Sequence, residues 1–294
     1  MSTLVQILSP DFLLRDALVG SVLVGVVCPL VGAYFVLRRM IFLGVALPQL
    51  SAAGIAFSFV GYRLAVGPHE HGNLSERSLA MVGSFAFTLT GLLVLTAFER
   101  RGRETVEARI GVTYAIAAAL TILFLAVDPH GDAEMVNLLK GDILATTRTS
   151  LTLLASVLGA VVLVLFACRK EFLLVSFDRD LAVVFGKWAG LWDGLLYLTI
   201  GVTISLGVMT AGPLVTFGFL VVPPLTARLL TRRMLSFSLV AAAIGGAAAF
   251  GGFYCAYRMD LPLGPAEVAL ASLMLIVVGT ASMIRQGAAR LRAP

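Results

Sequence analysis

The sequence predicts an all-α fold: a polytopic integral membrane bundle of about nine transmembrane helices, forming a single domain over residues 1–294, with the N-terminus outside and the C-terminus cytoplasmic. Three observations lead to this prediction. Hydrophobic residues make up 59% of the chain and charged residues only 13%, whereas about 25% of residues are charged in soluble domains. The apolar residues form uncharged runs of about 20 residues, which is the length of a membrane-spanning helix. Arginine and lysine collect in alternate connections between those runs.

Nine apolar segments are long enough to cross a bilayer, and no long hydrophilic segment lies between them. The seventh is the weakest, because Arg228 lies near its end. The first ten residues contain no lysine or arginine, so we expect the first segment to be a retained span and not a cleaved signal peptide. In chain order the nine segments are residues 17–37, 41–60, 79–98, 110–127, 151–168, 191–209, 213–230, 237–257 and 266–284.

The distribution of positive charge predicts the orientation. Sixteen of the 22 lysine and arginine residues fall in alternate connections or in the C-terminal tail, among them Arg38, Arg39 and Lys187. Cytoplasmic loops carry such an excess, which places the C-terminus in the cytoplasm. Because the basic residues lie in short, separate loops, the net charge of +5 indicates topology and not a nucleic-acid-binding surface.

Several spans contain prolines or small residues that point to a hollow or moving bundle. Pro29, Pro48, Pro223 and Pro224 each remove a backbone hydrogen bond. Irregular backbone at membrane depth is tolerated where protein or a water-filled cavity satisfies it. Small residues in the same spans, such as those of the first segment, are expected to let helices approach closely.

The spans lack the motifs of a membrane enzyme. HExxH, GxSxG and a deep pair of carboxylates are all absent from the sequence, and so is the GxxxxGK[ST] motif of P-loop ATP binding. Asp193 and Glu267 lie near the ends of spans, where we expect the interface to hydrate them. The sequence therefore predicts no catalytic residue and no cofactor-binding residue in this chain.

All three histidines, His69, His71 and His130, fall in predicted outward loops. The stretch GPHEHG could collect a metal ion transiently, but a lasting site needs more fixed ligands than this loop offers. We favour solvated loop residues. The three cysteines lie in or beside apolar runs and indicate packing, not a disulfide framework.

Four stretches, in chain order, resemble the membrane permease subunit of the zinc, manganese and iron uptake family of ABC transporters. The similarity covers nearly the whole chain. The stretches are VGAYFVLRRMIFLG (31–44), LLKGDILATT (138–147), KEFLLVSFDRDLAVVFG (170–186) and AGPLVTFGFLVVPPLTARLL (211–230).

The resemblance implies a multi-pass permease of a bacterial inner membrane that imports divalent metal ions by alternating access. It also implies three partners. These are a cytoplasmic ABC ATPase that uses the ATP, a second permease subunit, identical or not, and an external metal-binding protein. The permease itself would perform no chemistry and bind no cofactor.

The third stretch also predicts a short helix from its own residues. Asp178 suits the N-cap position, and Gly186 suits the C′ position at which helices end. Phe177 and Ala182 are spaced as a hydrophobic staple. We therefore expect a short helix over residues 178–186 in a cytoplasmic loop.

That helix would carry an exposed apolar stripe of Phe177, Leu181 and Phe185, at spacings i, i+4 and i+8. One alternative is a helix lying on the membrane interface. The other, which the resemblance favours, is docking in a groove of the ATPase. The residues assigned to ATPase coupling are Phe177, Asp178, Leu181, Ala182, Phe185 and Gly186.

The chain departs from the family where the resemblance would place metal ligands. The family segment GDALSHA reads GVALPQL here, so Val45, Pro48 and Gln49 occupy the Asp, Ser and His positions. Valine cannot coordinate a metal, and Gln49 offers only a neutral amide. We therefore assign no metal ligand.

The residues expected along the translocation path are Pro48, Gln49, Pro223 and Pro224, with Pro48 and Gln49 at a pore-facing break of the second span. The alternative is a kinked helix in which Gln49 bonds a neighbour.

Three explanations of the missing ligands stay open. The ion passes with much of its hydration, a non-identical second permease supplies the Asp and His, or the substrate is not a free metal ion. We prefer the second. The rival function is an ion-gradient-driven secondary transporter of a small solute, which would normally carry buried acids and inverted repeats that this sequence does not display.

Overall fold

The computed structural model describes residues 14–66, 74–99, 106–127, 148–231 and 233–291, and within these ranges the chain is helical, without strands. This confirms the predicted all-α membrane fold. The helices are α1 (Arg15–Leu37), α2 (Leu43–Val66), α3 (Leu74–Glu99), α4 (Val106–Val127), α5 (Arg148–Ala167), α6 (Arg169–Phe177), α7 (Arg179–Val184), α8 (Ala189–Leu230), α9 (Met234–Met259) and α10 (Leu263–Leu291).

Eight of these helices are long and apolar enough to span a membrane. The helix α8 has 42 residues and would be about 63 Å long if straight, at about 1.5 Å per residue. A hydrocarbon core is about 30 Å thick, so a straight α8 would be twice too long for one crossing. The sixth and seventh predicted segments both lie within α8.

The helix α8 is bent back at Gly212, whose φ of 82° and ψ of 164° are not helical. Across the bend, a Cβ placed on Gly207 would lie 2.9 Å from the Thr216 side chain. Near its start, Asp193 bonds Arg38 at the end of α1, and near its finish Ala227 packs in one cluster with Val36 of α1. Both ends of α8 thus return to the same end of α1, and the eight helices contain the nine predicted segments.

The helices differ in how much of their surface other helices cover. Most residues of α1, α2 and α8 are buried, and these three form the centre of the bundle. In contrast, α4, α5 and α10 are largely uncovered. Apolar side chains such as Leu163 on α5 and Ile276 on α10 point away from the bundle, as expected of helices that face lipid or another subunit.

Glycines set the closest contacts within the centre. A Cβ on Gly32 of α1 would lie 1.9 Å from the carbonyl oxygen of Leu220 on α8. A Cβ on Gly245 of α9 would lie 2.0 Å from the carbonyl oxygen of Gly25 on α1. No larger residue fits at these positions, so the expectation of close helix packing through small residues is confirmed.

Candidate functional site

The predicted path residues of α2 lie close to its start. The backbone turns that begin at Met40 lead directly into α2 at Leu43, and the helix continues past Pro48 to Val66. The predicted break at Pro48 is therefore not a gap in the helix, although proline has no N–H to donate to the carbonyl of Gly44 four residues earlier. Whether this position faces the pore stays a prediction. Pro48 is buried, while Val45 and Gln49 are partly exposed.

The second half of α8 carries the other two path residues, Pro223 and Pro224, which are both buried within the helix. This half packs against α2: a Cβ on Gly44 would lie 3.0 Å from Cγ2 of Val221. The two predicted path segments are therefore neighbours. Whether an ion passes along them stays a prediction.

A cluster of buried hydroxyl groups, which we did not predict, joins α2 to α3 and α8. Oγ of Ser51 lies 2.6 Å from Oγ of Ser84, and Ser205 donates to Ser84 at 2.7 Å. All three serines are buried. Buried hydroxyls at a helix contact are better satisfied by each other than by lipid. The only sequence signal was three serines within apolar runs, and the sequence does not show that they meet.

The coupling segment folds as the sequence predicts, with a helix between Asp178 and Gly186. Oδ1 of Asp178 accepts a hydrogen bond from the Leu181 N–H (2.9 Å), which makes Asp178 the N-cap of α7. Gly186 has a φ of 70°, in the left-handed region that favours glycine. The N–H of Lys187 donates to the Ala182 carbonyl (3.0 Å), so α7 ends in a Schellman motif.

The α7 helix presents apolar side chains outward. Phe177 is 70% exposed, and Leu181 and Phe185 are exposed as well, whereas Ala182 is buried against Val175 and Ala189. Three further exposed residues, Val183, Val184 and Trp188, were not predicted, since they lie off the i, i+4 stripe. We call this surface the α7 patch; it consists of Phe177, Leu181, Val183, Val184, Phe185 and Trp188.

The α6 helix anchors the α7 patch to the bundle. Phe172 is fully buried and lies edge-on to the rings of Tyr34 on α1 (6.0 Å between centroids) and Trp192 on α8 (6.3 Å). Lys187 pairs with Glu171 at 3.6 Å, which ties the end of α7 back to α6. The exposed patch therefore rests on a segment whose other face is firmly packed.

Similarity to known proteins identifies the family of this chain. The model of the ABC 3 transport family matches residues 11–282. The chain belongs to the ABC 3 transport family. The resemblance to metal-uptake ABC permeases is thereby confirmed, and this ABC 3 protein is a multi-pass membrane subunit of a transporter.

Individual relatives agree with the family. The manganese import system permease protein ScaB of Streptococcus gordonii is 25% identical over 264 residues, covering 90% of this chain and 89% of ScaB. The manganese transport system membrane protein MntD of Bacillus subtilis is 28% identical over 265 residues, covering 85% of each. The structure of PsaBC from Streptococcus pneumoniae in complex with Fab has a TM-score of 0.77 at 23% identity, covering 92% of this chain and 91% of that one. The ABC 3 protein therefore shares its fold with this solved structure along almost its whole length.

The expectation that the interface hydrates both acids is wrong for Glu267 of this ABC 3 protein, which is fully buried, whereas Asp193 keeps partial exposure. Asp193 is only 13% exposed and bonds Arg38 at 2.8 Å. Glu267 is fully buried, because α10 packs on α8 and α9 from its first turn and the backbone of Glu267 lies against Gly252. Oε1 of Glu267 accepts a hydrogen bond from Ser21 (2.5 Å), and its Oε2 has no hydrogen-bond partner among the described residues.

Metal-ligand chemistry is sparse in the part of the ABC 3 protein that the structure describes. No group of three or more histidine, cysteine, aspartate or glutamate residues there could hold a metal ion. His69, His71 and His130 lie outside the described residues, as does the LLKGDILATT stretch at 138–147. The predictions made for those residues remain predictions.

Proposed function

We propose that this chain is the membrane-spanning permease of an ATP-driven importer of divalent metal ions in a bacterial inner membrane. The observation that carries the proposal is the α7 patch. It is a set of exposed aromatic and aliphatic side chains on a well-capped helix, in a family of ABC transport proteins. Manganese is the first candidate among zinc, manganese and iron, because relatives that match most of the chain are named for it.

The α7 patch lies on the cytoplasmic face in this proposal. Arg38 bonds Ser176 of α6 and Asp193 of α8, so the two connections rich in arginine and lysine that follow α1 and α5 lie at one end of the bundle. A single basic face supports the orientation expected from the positive-inside rule. The N-terminus is then external and the C-terminus cytoplasmic.

A separate cytoplasmic ATPase binds the α7 patch and uses the ATP, since the sequence has no P-loop motif of its own. Apolar side chains this exposed at a membrane protein's aqueous face favour burial in a partner's groove. An external metal-binding protein delivers the ion. The permease alternates its access as the ATPase opens and closes.

The path needs a second permease that is not identical to this one. Moving a bare divalent ion into a low dielectric costs tens of kcal/mol unless charge or water replaces its hydration shell. Val45 and Gln49 cannot supply that charge, so the second subunit provides the acidic and imidazole ligands. A purified complex that contains two copies of this chain and still imports manganese or zinc would contradict this part of the proposal.

Docking of the ATPase on the α7 patch is tested with the variants Phe177→Asp and Leu181→Asp. The quantity measured is the amount of ATPase that co-elutes with each variant. The ATPase is identified by mass spectrometry from its P-loop motif and by ATP hydrolysis. We expect at least a tenfold loss of bound ATPase, since a buried aromatic anchor contributes about 2 kcal/mol or more to binding.

The matched control for docking is Leu261→Asp. Leu261 is also exposed, but it lies in the α9–α10 connection on the opposite face, so ATPase binding should not change. Unchanged ATPase binding in Phe177→Asp would contradict docking at the α7 patch. Uptake of manganese, zinc and iron by cells with and without the chain then identifies the metal.

Glu267 is the one observation that favours the rival function, a secondary transporter driven by an ion gradient, because such proteins use buried acids. Membership of an ABC family weighs against it. Uptake that persists without any ATPase, and that an ionophore abolishes, would establish the rival.

A further inference from the structure

We propose that Arg38 is the residue that transmits movement of the α6–α7 segment to the helices of the predicted path. We call Arg38, Ser176, Asp193 and Tyr197 the Arg38 cluster. The inference rests on the proposed function, because it assumes that an ATPase pushes on the α7 patch. The inference gives a positioning role to Arg38, which has no role in ATPase docking or in metal binding under the proposed function.

The Arg38 cluster connects three helices through one side chain. Nε of Arg38 donates to Oγ of Ser176 on α6 (3.0 Å). Nη1 donates to the hydroxyl of Tyr197 (3.2 Å) and Nη2 to Oδ1 of Asp193 (2.8 Å), both on α8. The guanidinium also lies 5.4 Å from the centre of the Tyr197 ring. Arg38 itself caps the end of α1.

The chemistry of the cluster requires arginine. A guanidinium offers five donors in a rigid plane and keeps its charge, so that it can hold several partners in fixed directions at once. The Arg38 and Asp193 side chains are only 10% and 13% exposed. Such a pair is weakly screened, and the loss of one partner leaves the other charge buried without compensation.

On one side, the cluster is adjacent to the docking surface. Ser176 immediately precedes Phe177 of the α7 patch and the N-cap Asp178. Phe172, one turn earlier on α6, packs against Tyr34 of α1 and Trp192 of α8. A displacement of α7 therefore acts on α6, and through it on the ends of α1 and α8.

On the other side, the cluster leads into the predicted path. After Arg38 the chain passes through Arg39, whose φ of 57° is in the left-handed region, and Met40 donates back to the Phe35 carbonyl (3.0 Å). Leu43 then bonds the Met40 carbonyl and begins α2. This connection is hydrogen-bonded throughout, so a shift of Arg38 moves the start of α2, where Val45, Pro48 and Gln49 lie.

The cluster therefore provides a contiguous physical network between the ATPase surface and the path, and such networks can carry coupling between distant sites. The α7 patch does not depend on Arg38 for its shape, because Asp178, Gly186 and Phe172 hold it. Loss of Arg38 is thus expected to separate ATP hydrolysis from transport while the ATPase remains bound.

The test compares Arg38→Gln and Asp193→Asn with wild type in proteoliposomes that contain the complete complex with its ATPase. Three quantities are measured: bound ATPase, ATP hydrolysis and uptake of radioactive manganese. We expect normal ATPase binding and a fall of about tenfold in manganese transported per ATP, within the 5–150-fold range of typical coupling between sites. Asp193→Glu keeps the negative charge, so it should retain most of the manganese transported per ATP that Asp193→Asn loses.

The matched control is Arg39→Asn, which removes the neighbouring positive charge and tolerates the left-handed conformation. The amount of manganese transported per ATP by this variant should equal that of wild type.

Arg38→Gln could misfold, which its melting temperature would show. In that case Tyr197→Phe and Ser176→Ala each remove a single hydrogen bond and should lower the manganese transported per ATP by less than tenfold. A wild-type amount of manganese transported per ATP in folded Arg38→Gln overturns the inference but leaves docking intact. Loss of bound ATPase in Arg38→Gln also overturns it, since Arg38 would then only support the docking surface. A wild-type chain that binds no ATPase contradicts the proposed function, and this inference with it.

Discussion

The α7 helix and the first turns of α2 both lie near the same end of α1, yet they are held in place differently. The ends of the α7 helix are fixed by local residues, with the Asp178 cap at its start and Gly186 at its end, and most of its apolar side chains are left uncovered. The start of α2 is held by other helices, with Ala46 and Leu47 fully buried. This difference suits two tasks: a surface that meets another molecule, and a segment that moves only when its neighbours move.

The largest effect is expected from Gly54→Leu in α2. A Cβ on Gly54 would lie 2.3 Å from the backbone oxygen of Gly83 on α3, and backbone cannot rotate away as a flexible side chain can. We expect a loss of about 3 kcal/mol or more, at or above the upper end of ordinary overpacking. The measurement is the yield of monodisperse protein by size-exclusion chromatography.

Gly61→Leu is the matched control for that change. Gly61 lies on the same helix, and nothing lies within 4 Å of a Cβ placed there. The yield should stay near that of wild type. If Gly54→Leu were equally well tolerated, the view that neighbouring helices hold α2 would be wrong.

A smaller effect is expected from Ser84→Ala, which removes the centre of the hydroxyl cluster between α2, α3 and α8. Two hydrogen bonds are lost, at about 0.6 kcal/mol each by the average for membrane helices. The melting temperature should therefore fall by a few degrees. Ser156→Ala is the control, because the exposed Ser156 hydroxyl bonds only within its own helix, and it should leave the melting temperature unchanged.

The smallest effect on global stability is expected from Asp178→Ala. The loss of an N-cap costs about 1 kcal/mol, and the N-cap made by Asp178 supports only the short helix α7. Hydrogen exchange of the α7 amides should accelerate while that of α1 and α8 stays constant. Asp178→Asn keeps a capping oxygen and should restore slow exchange, whereas a global loss of protection in Asp178→Ala would show that α7 is not an independent unit.

The two regions also explain how far the sequence alone predicts the structure. The α7 helix could be predicted because Asp178 and Gly186 act on backbone groups a few residues away. The environment of Asp193 and Glu267 could not, because it depends on which helices cover them in the folded bundle. The same holds for Ser84, which meets Ser51 and Ser205 from two other helices. The nine apolar segments were found by composition, but the sharp bend that joins two of them required the conformation of Gly212.

The α7 patch has a consequence for how cells produce this protein. If an ATPase covers the α7 patch as proposed, a copy synthesised without that ATPase would leave Phe177, Phe185 and Trp188 exposed to water, and uncovered aromatic clusters favour self-association. Orphan subunits would then be substrates for quality-control proteases, so the two gene products need to be made in matched amounts.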